Sequence, residues 1–100
     1  MAKKNNTVTT TQTLSICGAK VNKKFYHSDK LDRGSLDLVS TSPTGKTIHT
    51  YVNYVWFNPS MELEEGDVIN GQVHLHTDSY EKNGEKRYTL GICIDDCEVV

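Results

Sequence analysis

Several groups of side chains in this sequence have types and spacing that suit chemistry. Tyr51 and Phe57 fall on one parity, with His49, Asn53 and Val55, inside the alternating stretch Lys46 to Phe57. Lys20, Lys24 and Tyr26 share a parity with Asn22, and Tyr80, Lys82, Lys86 and Arg87 surround the dipeptide Asn83-Gly84. Arg33 and Lys46 add cations in a loop and beside a turn. Flat aromatic faces set among cations can stack on unpaired bases and follow phosphates; stacking is worth roughly 1–3 kcal/mol per base and tolerates any sequence. Each group also has an ordinary reading, as core aromatics or as charge pairs across a hairpin.

Other chemistry finds less support. His74, His76 and Cys93 share a face of the last hairpin, with Cys97 near its end. Such nitrogen and sulfur ligands suit zinc, but paired-cysteine and histidine-finger spacings are both missing, so no metal is expected. Pro43-Thr44-Gly45-Lys46-Thr47 resembles the end of a phosphate loop. Ser40 stands where that motif needs its first glycine, and no strand-then-long-helix context follows, so the segment reads as a plain turn. His27 and His49 belong to no recognisable arrangement of acid and nucleophile, and no hydrolase, kinase or redox signature is present. Neither an enzyme nor a cofactor is expected.

At 100 residues, 36% hydrophobic and 24% charged, the chain has room for one domain. No apolar run reaches the ~18–20 residues of a membrane span. The start, Met-Ala-Lys-Lys-Asn-Asn, has no apolar stretch behind it, so a secretory signal is not expected. Three cysteines, an odd number, fit reduced thiols. The expectation is a soluble cytoplasmic protein. The net charge of −2 hides an asymmetry: residues 1–50 carry +5 and residues 51–100 carry −7. That division suits a polyanion partner or self-association, or else a mixed, solvated surface.

The elements that must position these groups are strands, because period-2 alternation recurs and helical periodicity is almost absent. Residues 1–9 read as a flexible arm and residues 10–100 as the domain. The first strand begins near Thr11. Its apolar parity changes at Gly18, from Leu14 and Ile16 to Ala19, Val21 and Phe25, which predicts a β-bulge. His27 to Gly34 reads as a loop, Ser35 to Thr41 as a strand with Leu36 and Leu38 inward, and Ser42 to Gly45 as a turn. In the third strand Val52, Tyr54 and Trp56 are assigned to the core. Asn58 to Gly66 is the helical candidate, one or two turns long, with proline near its start and acids in its first turns.

The last third predicts a long hairpin. Asn83-Gly84 calls for a type I′ turn and pairs positions that sum to 167. Val73 then faces Ile94, Leu75 faces Ile92 and Thr77 faces Leu90 along one apolar face. Glu81 meets Lys86, Lys82 meets Glu85 and Tyr80 meets Arg87. The fold class is therefore all-β: a five-stranded OB-fold barrel, with one short helix between strands 3 and 4 and a long last hairpin.

From Leu14 to Val99 the sequence resembles the bacterial and phage single-stranded DNA-binding proteins. Leu14-Ser15-Ile16-Cys17-Gly18 is similar to the family's opening strand, and Gly34 to Thr41 to its second. Tyr51 to Phe57 is similar to its aromatic strand, Gly66-Asp67-Val68-Ile69-Asn70-Gly71-Gln72-Val73 to its fourth, and Tyr80 to Leu90 to its last hairpin. The pattern departs in two places: the family's acidic, partner-recruiting tail is not matched, and His74 and His76 stand at basic positions of the fourth strand. The resemblance implies that Tyr51 and Phe57 stack on bases. It also implies sequence-independent binding of single-stranded DNA in replication or recombination, in a bacterial or phage-infected cell. A homo-oligomer, dimer or tetramer, and replication proteins as partners are expected with it. The alternative is an OB-fold protein-interaction module, such as a replisome accessory subunit or an inhibitor of a host factor.

Overall fold

A computed structural model describes residues 13–100. The predicted arm over residues 1–9, and the predicted strand start at Thr11, lie outside that range. Five strands form the molecule: β1 (Leu14–His27), β2 (Leu31–Thr41), β3 (Thr47–Phe57), β4 (Val68–Lys82) and β5 (Glu85–Val99). They close into a barrel in the order β1-β2-β3-β5-β4, with β4 returning to β1. Neighbours are antiparallel except β3 and β5, which run parallel and register at Tyr54–Ile92 and Val55–Cys93. Gly91 lies beside this junction, where an added Cβ would stand 2.7 Å from the Asn53 carbonyl oxygen. No helix among the described residues is long and apolar enough to cross a membrane.

Alternating apolar side chains fill the barrel. Val21, Leu36, Tyr54, Trp56, Ile69, Val73, Ile92 and Ile94 are all buried there, as the parity of each strand predicts. The last hairpin keeps the predicted register from Lys82–Glu85 down to Val73–Ile94. Positive φ at Asn83 (54°) and Gly84 (76°) is what a type I′ turn requires. The predicted apolar face of that hairpin is buried only at its barrel end. Leu75 and Leu90 are exposed, because the hairpin runs on past the barrel.

Bulges decide which side chains point in. The register of β1 on β4 skips between Ile16 and Ala19, around Gly18, as expected. Two further irregularities against β2, between Val21 and Lys23 and between Lys24 and Tyr26, were not legible in the sequence. They turn Phe25 outward, so it is exposed rather than in the core. Lys24 comes opposite Gly34, on the inward parity of β2. In β5 the pairing passes from Val73–Ile94 to Gln72–Asp96, which leaves Asp95 as the extra residue of a bulge. Inward parity then shifts to Cys97, which is buried in the core rather than lying near His74 and Cys93.

Two expectations about the connections fail. The predicted loop His27 to Gly34 is mostly strand, since β1 ends at His27 and β2 begins at Leu31; Arg33 is therefore a strand residue. The predicted helix from Asn58 to Gly66 does not form. Asn58 has a φ of 50°, and two backbone N–H groups that intrahelical bonds to Pro59 and Ser60 would need are taken by side chains. Leu63 N donates to Asp32 Oδ2 at 3.1 Å and Glu64 N to Asp67 Oδ2 at 2.9 Å. What the segment does contribute is Leu63, fully buried in the barrel core.

Candidate nucleic-acid interface

The outward residues of β1, β2 and β3 form one continuous surface. Register places Lys20 beside Asp37 and Asp37 beside Tyr51. Lys23 lies beside Ser35 and then Asn53, and Tyr26 beside Arg33 and then Val55. Phe57 ends the series opposite Leu31. Tyr51, Phe57 and Tyr26 are 61%, 54% and 54% exposed, while Trp56, of the opposite parity, is 3% exposed in the core. Strand rise puts Tyr51 and Phe57 about 20 Å apart along β3, room for several stacked bases between them. Both rings are braced from the side. The His49 ring stacks on Tyr51 with centroids 6.3 Å apart and planes at 11°, and the His76 ring meets Phe57 edge-on at 6.3 Å.

Of the predicted cations, Lys20 and Arg33 belong to this surface and Lys24 does not. The Lys24 ammonium is bonded to Asp32, whose side chain has no solvent exposure. Asp32 also accepts hydrogen bonds from Tyr54 OH at 2.8 Å, His27 Nδ1 at 3.1 Å and the Leu63 N–H. Burial alone would raise the pKa of this carboxyl, but the hydrogen bonds from Lys24, Tyr54 and Leu63 outweigh it and hold the carboxyl below its ordinary value. The same burial and the same hydrogen bond push the Tyr54 hydroxyl far up, so it stays a donor. Lys24 thus serves the core. Lys23 takes the outward place because of the bulges on either side, and nothing in the sequence announces them.

Acids temper the surface. Asp37 accepts from His49 Nδ1 at 3.0 Å. Asp78 on β4 accepts from His76 Nε2 at 3.1 Å and pairs with Arg33 at 3.4 Å, tying the last hairpin to β2. Of the four residues predicted on that hairpin, three share a face with His74 and His76: Tyr80, Lys82 and Arg87, on the parity that leads back to the aromatic surface. Arg87 pairs with Glu85 on its own strand at 3.0 Å. Lys86 is on the reverse face, its ammonium 5.9 Å from the ring centre of Tyr88. Tyr88 and Phe25 are exposed aromatics that the sequence does not single out for the site. Lys46 stands apart, exposed after the turn at the tip of the β2–β3 hairpin.

The ligand set considered for metal also separates. His74 and Cys93 are direct cross-strand partners, whereas His76 turns to Phe57 and Asp78. Cys97 is enclosed, its thiol pushed up to about 11 by burial and by Asp96 and Asp32. Cys17, Cys93 and Cys97 are all free thiols.

Comparison with known proteins bears on the fold. No protein-family model matches the chain, and no curated protein matches it in sequence. Solved structures do. The small single-stranded DNA-binding protein of Streptomyces coelicolor aligns over 89% of this chain and 94% of its own, with a TM-score of 0.57 and 13% identity. The N-terminal domain of PriB from Thermoanaerobacter tencongensis, described as dimeric, aligns over 88% and 94%, with a TM-score of 0.56 and 16% identity. The mitochondrial single-stranded DNA-binding protein Rim1 of S. cerevisiae aligns over 89% and 94%, with a TM-score of 0.51 and 20% identity. The barrel is an OB-fold. In this OB barrel the exposed aromatics Tyr26, Tyr51 and Phe57 lie on the outer face of β1, β2 and β3, and the last hairpin, with Tyr80 and Tyr88, extends one edge of that face.

Proposed function

We propose that this chain is a sequence-independent single-stranded DNA-binding protein, non-enzymatic, serving DNA replication or recombination in the cytoplasm of a bacterial or phage-infected cell. The observation that carries the reading is the outer surface of β1, β2 and β3. Three exposed aromatic rings, Tyr26, Tyr51 and Phe57, are interleaved there with Lys20, Lys23 and Arg33 on one side of an OB barrel. Bases stack on the rings, and phosphates run along the cations. Tyr80, Lys82 and Arg87 extend the path onto the last hairpin, and Lys46 reaches the backbone from the β2–β3 turn. The solved structures most useful for comparison include two named as single-stranded DNA-binding proteins, which favours the same reading. Replication proteins are the partners proposed with it.

The chain is further proposed to work as a dimer or tetramer. Val39 and Ile48 are exposed on the β2–β3 hairpin, as are Tyr88 and Leu90 on the last one, which gives strand surfaces for a second copy to cover. Sedimentation at micromolar concentration should show more than the 11.2 kDa of one chain.

Titration of oligo-dT with unlabelled protein across a salt series tests the function. Tight binding at low salt that weakens linearly on a log–log plot is expected. No binding at low salt overturns the proposal and favours the protein-interaction module, for which the surface acids Asp37 and Asp78 would then be the natural contacts.

A further inference from the structure

We propose that His74, Cys93 and Asp95 form a binding site for a divalent transition-metal ion of the zinc class on the outer surface of β4 and β5. Their ligand atoms all lie within 4.8 Å of one another, and they are the one group of three such residues to converge among the described residues. His74 and Cys93 face each other across the β4–β5 ladder. Asp95 is the extra residue of the β5 bulge, and the bulge turns its carboxylate to His74, with Nδ1 to Oδ1 at 2.9 Å and to Oδ2 at 3.1 Å. A bulge that re-aims one side chain at a polar neighbour is a feature of ligand sites. The sequence alone, lacking the bulge, leaves Asp95 out of the set and gives no reason to expect a metal.

The dimensions suit the ion. Tetrahedral zinc with one sulfur, one nitrogen and one oxygen ligand sets donors about 3.4–3.6 Å apart. The His74 and Asp95 side chains are 35% and 47% exposed, so they are free to rotate the remaining distance. Cys93 is buried and supplies the fixed donor. Thiolate with imidazole selects zinc, cobalt or copper over magnesium and calcium. The surroundings are anionic: the carboxylates of Asp95 and Asp78 both act on the Cys93 side chain, and a dication is attracted to them. Coordination takes the thiolate, so uptake releases the Cys93 proton to solvent. Three protein ligands leave the fourth position to water. The site stands independently of whether the neighbouring aromatic surface binds DNA.

Cobalt titration of the chelator-treated 100-residue chain, without DNA, tests it. A thiolate-to-cobalt charge-transfer band should rise and saturate at one ion per chain, and zinc should abolish it. Cys93→Ser should remove the band and Cys17→Ser should keep it. His74→Ala and Asp95→Asn, at side chains outside the core, should each weaken cobalt binding about tenfold or more, with an unchanged circular-dichroism spectrum. A wild-type chain with no band under excess cobalt, a band that persists in Cys93→Ser, or indifference to both His74→Ala and Asp95→Asn would each overturn the proposal.

Discussion

The Lys24 ammonium is bonded to the carboxylate of Asp32 inside the barrel, while its neighbour Lys23 faces outward beside Ser35. Two adjacent lysines therefore have opposite roles. Lys23→Ala should weaken oligo-dT binding and flatten the log-affinity against log-salt slope by about 0.7, with little change in thermal stability. Lys24→Ala should do the reverse. It strips the cation from a buried carboxylate, a loss of about 3–5 kcal/mol of folding stability in denaturant titrations.

Parity within β3 makes a second pair of opposed outcomes. Tyr51→Ala or Phe57→Ala should cost about 1–3 kcal/mol of oligo-dT affinity each and leave most of the stability, because both rings are exposed. Trp56→Ala should open a cavity in the core and destabilise the fold by roughly 3–5 kcal/mol. Fluorescence titration and urea unfolding of the same variants separate the two. Retained affinity in the Tyr51/Phe57 double variant would move the DNA path off this surface.

The two faces of the last hairpin give a third test. Lys82→Ala and Arg87→Ala, on the face that continues the aromatic surface, should each lower the salt slope by about 0.7. Lys86→Ala on the reverse face should leave it unchanged. Equal effects from all three would mean that DNA wraps the hairpin tip instead of following one face.

Stability should fall in acid, and Asp32 should account for part of the fall. Its carboxyl ionises more readily in the fold than its ordinary value of 3.8. The charge therefore stabilises the fold fully above that value, and the contribution is lost as pH drops through the lower folded value. Melting temperatures should change little for this group between about pH 7 and pH 5 and drop toward pH 3. Asp32→Asn, less stable at neutral pH, should show a shallower drop.

Legibility in the sequence followed the range of the forces involved. The Asn83-Gly84 turn fixes the last hairpin locally, so its register could be counted from the turn outward. Core parity in β2 and β3 was equally plain, because each runs without a bulge from Leu31–Phe57 to Thr41–Thr47. What stayed hidden depends on partners far along the chain. Asp32 draws donors from Lys24, Tyr54 and Leu63, and the last of these diverts the backbone that sequence rules assigned to a helix. The bulges around Lys24 and at Asp95 carry no glycine to announce them, unlike the one at Gly18. The surface was therefore legible in kind, aromatic and basic, while Lys24 was read in the place that Lys23 takes and Lys86 lies on the reverse face of its hairpin.

The parallel junction of β3 and β5, registered at Tyr54–Ile92 and Val55–Cys93, is the shorter of the two seams that close the β1-β2-β3 meander onto the β4–β5 hairpin, the other being β1 on β4. The meander and the hairpin zip from their own turns, whereas this seam joins residues distant in sequence and has the larger loop-closure entropy against it. Partial opening should start there, so the seam amides should exchange with solvent before those of the β2–β3 ladder. Val55 lies on the aromatic side of that seam, between Tyr51 and Phe57, so a strand of DNA stacked on both rings would span the joint like a splint.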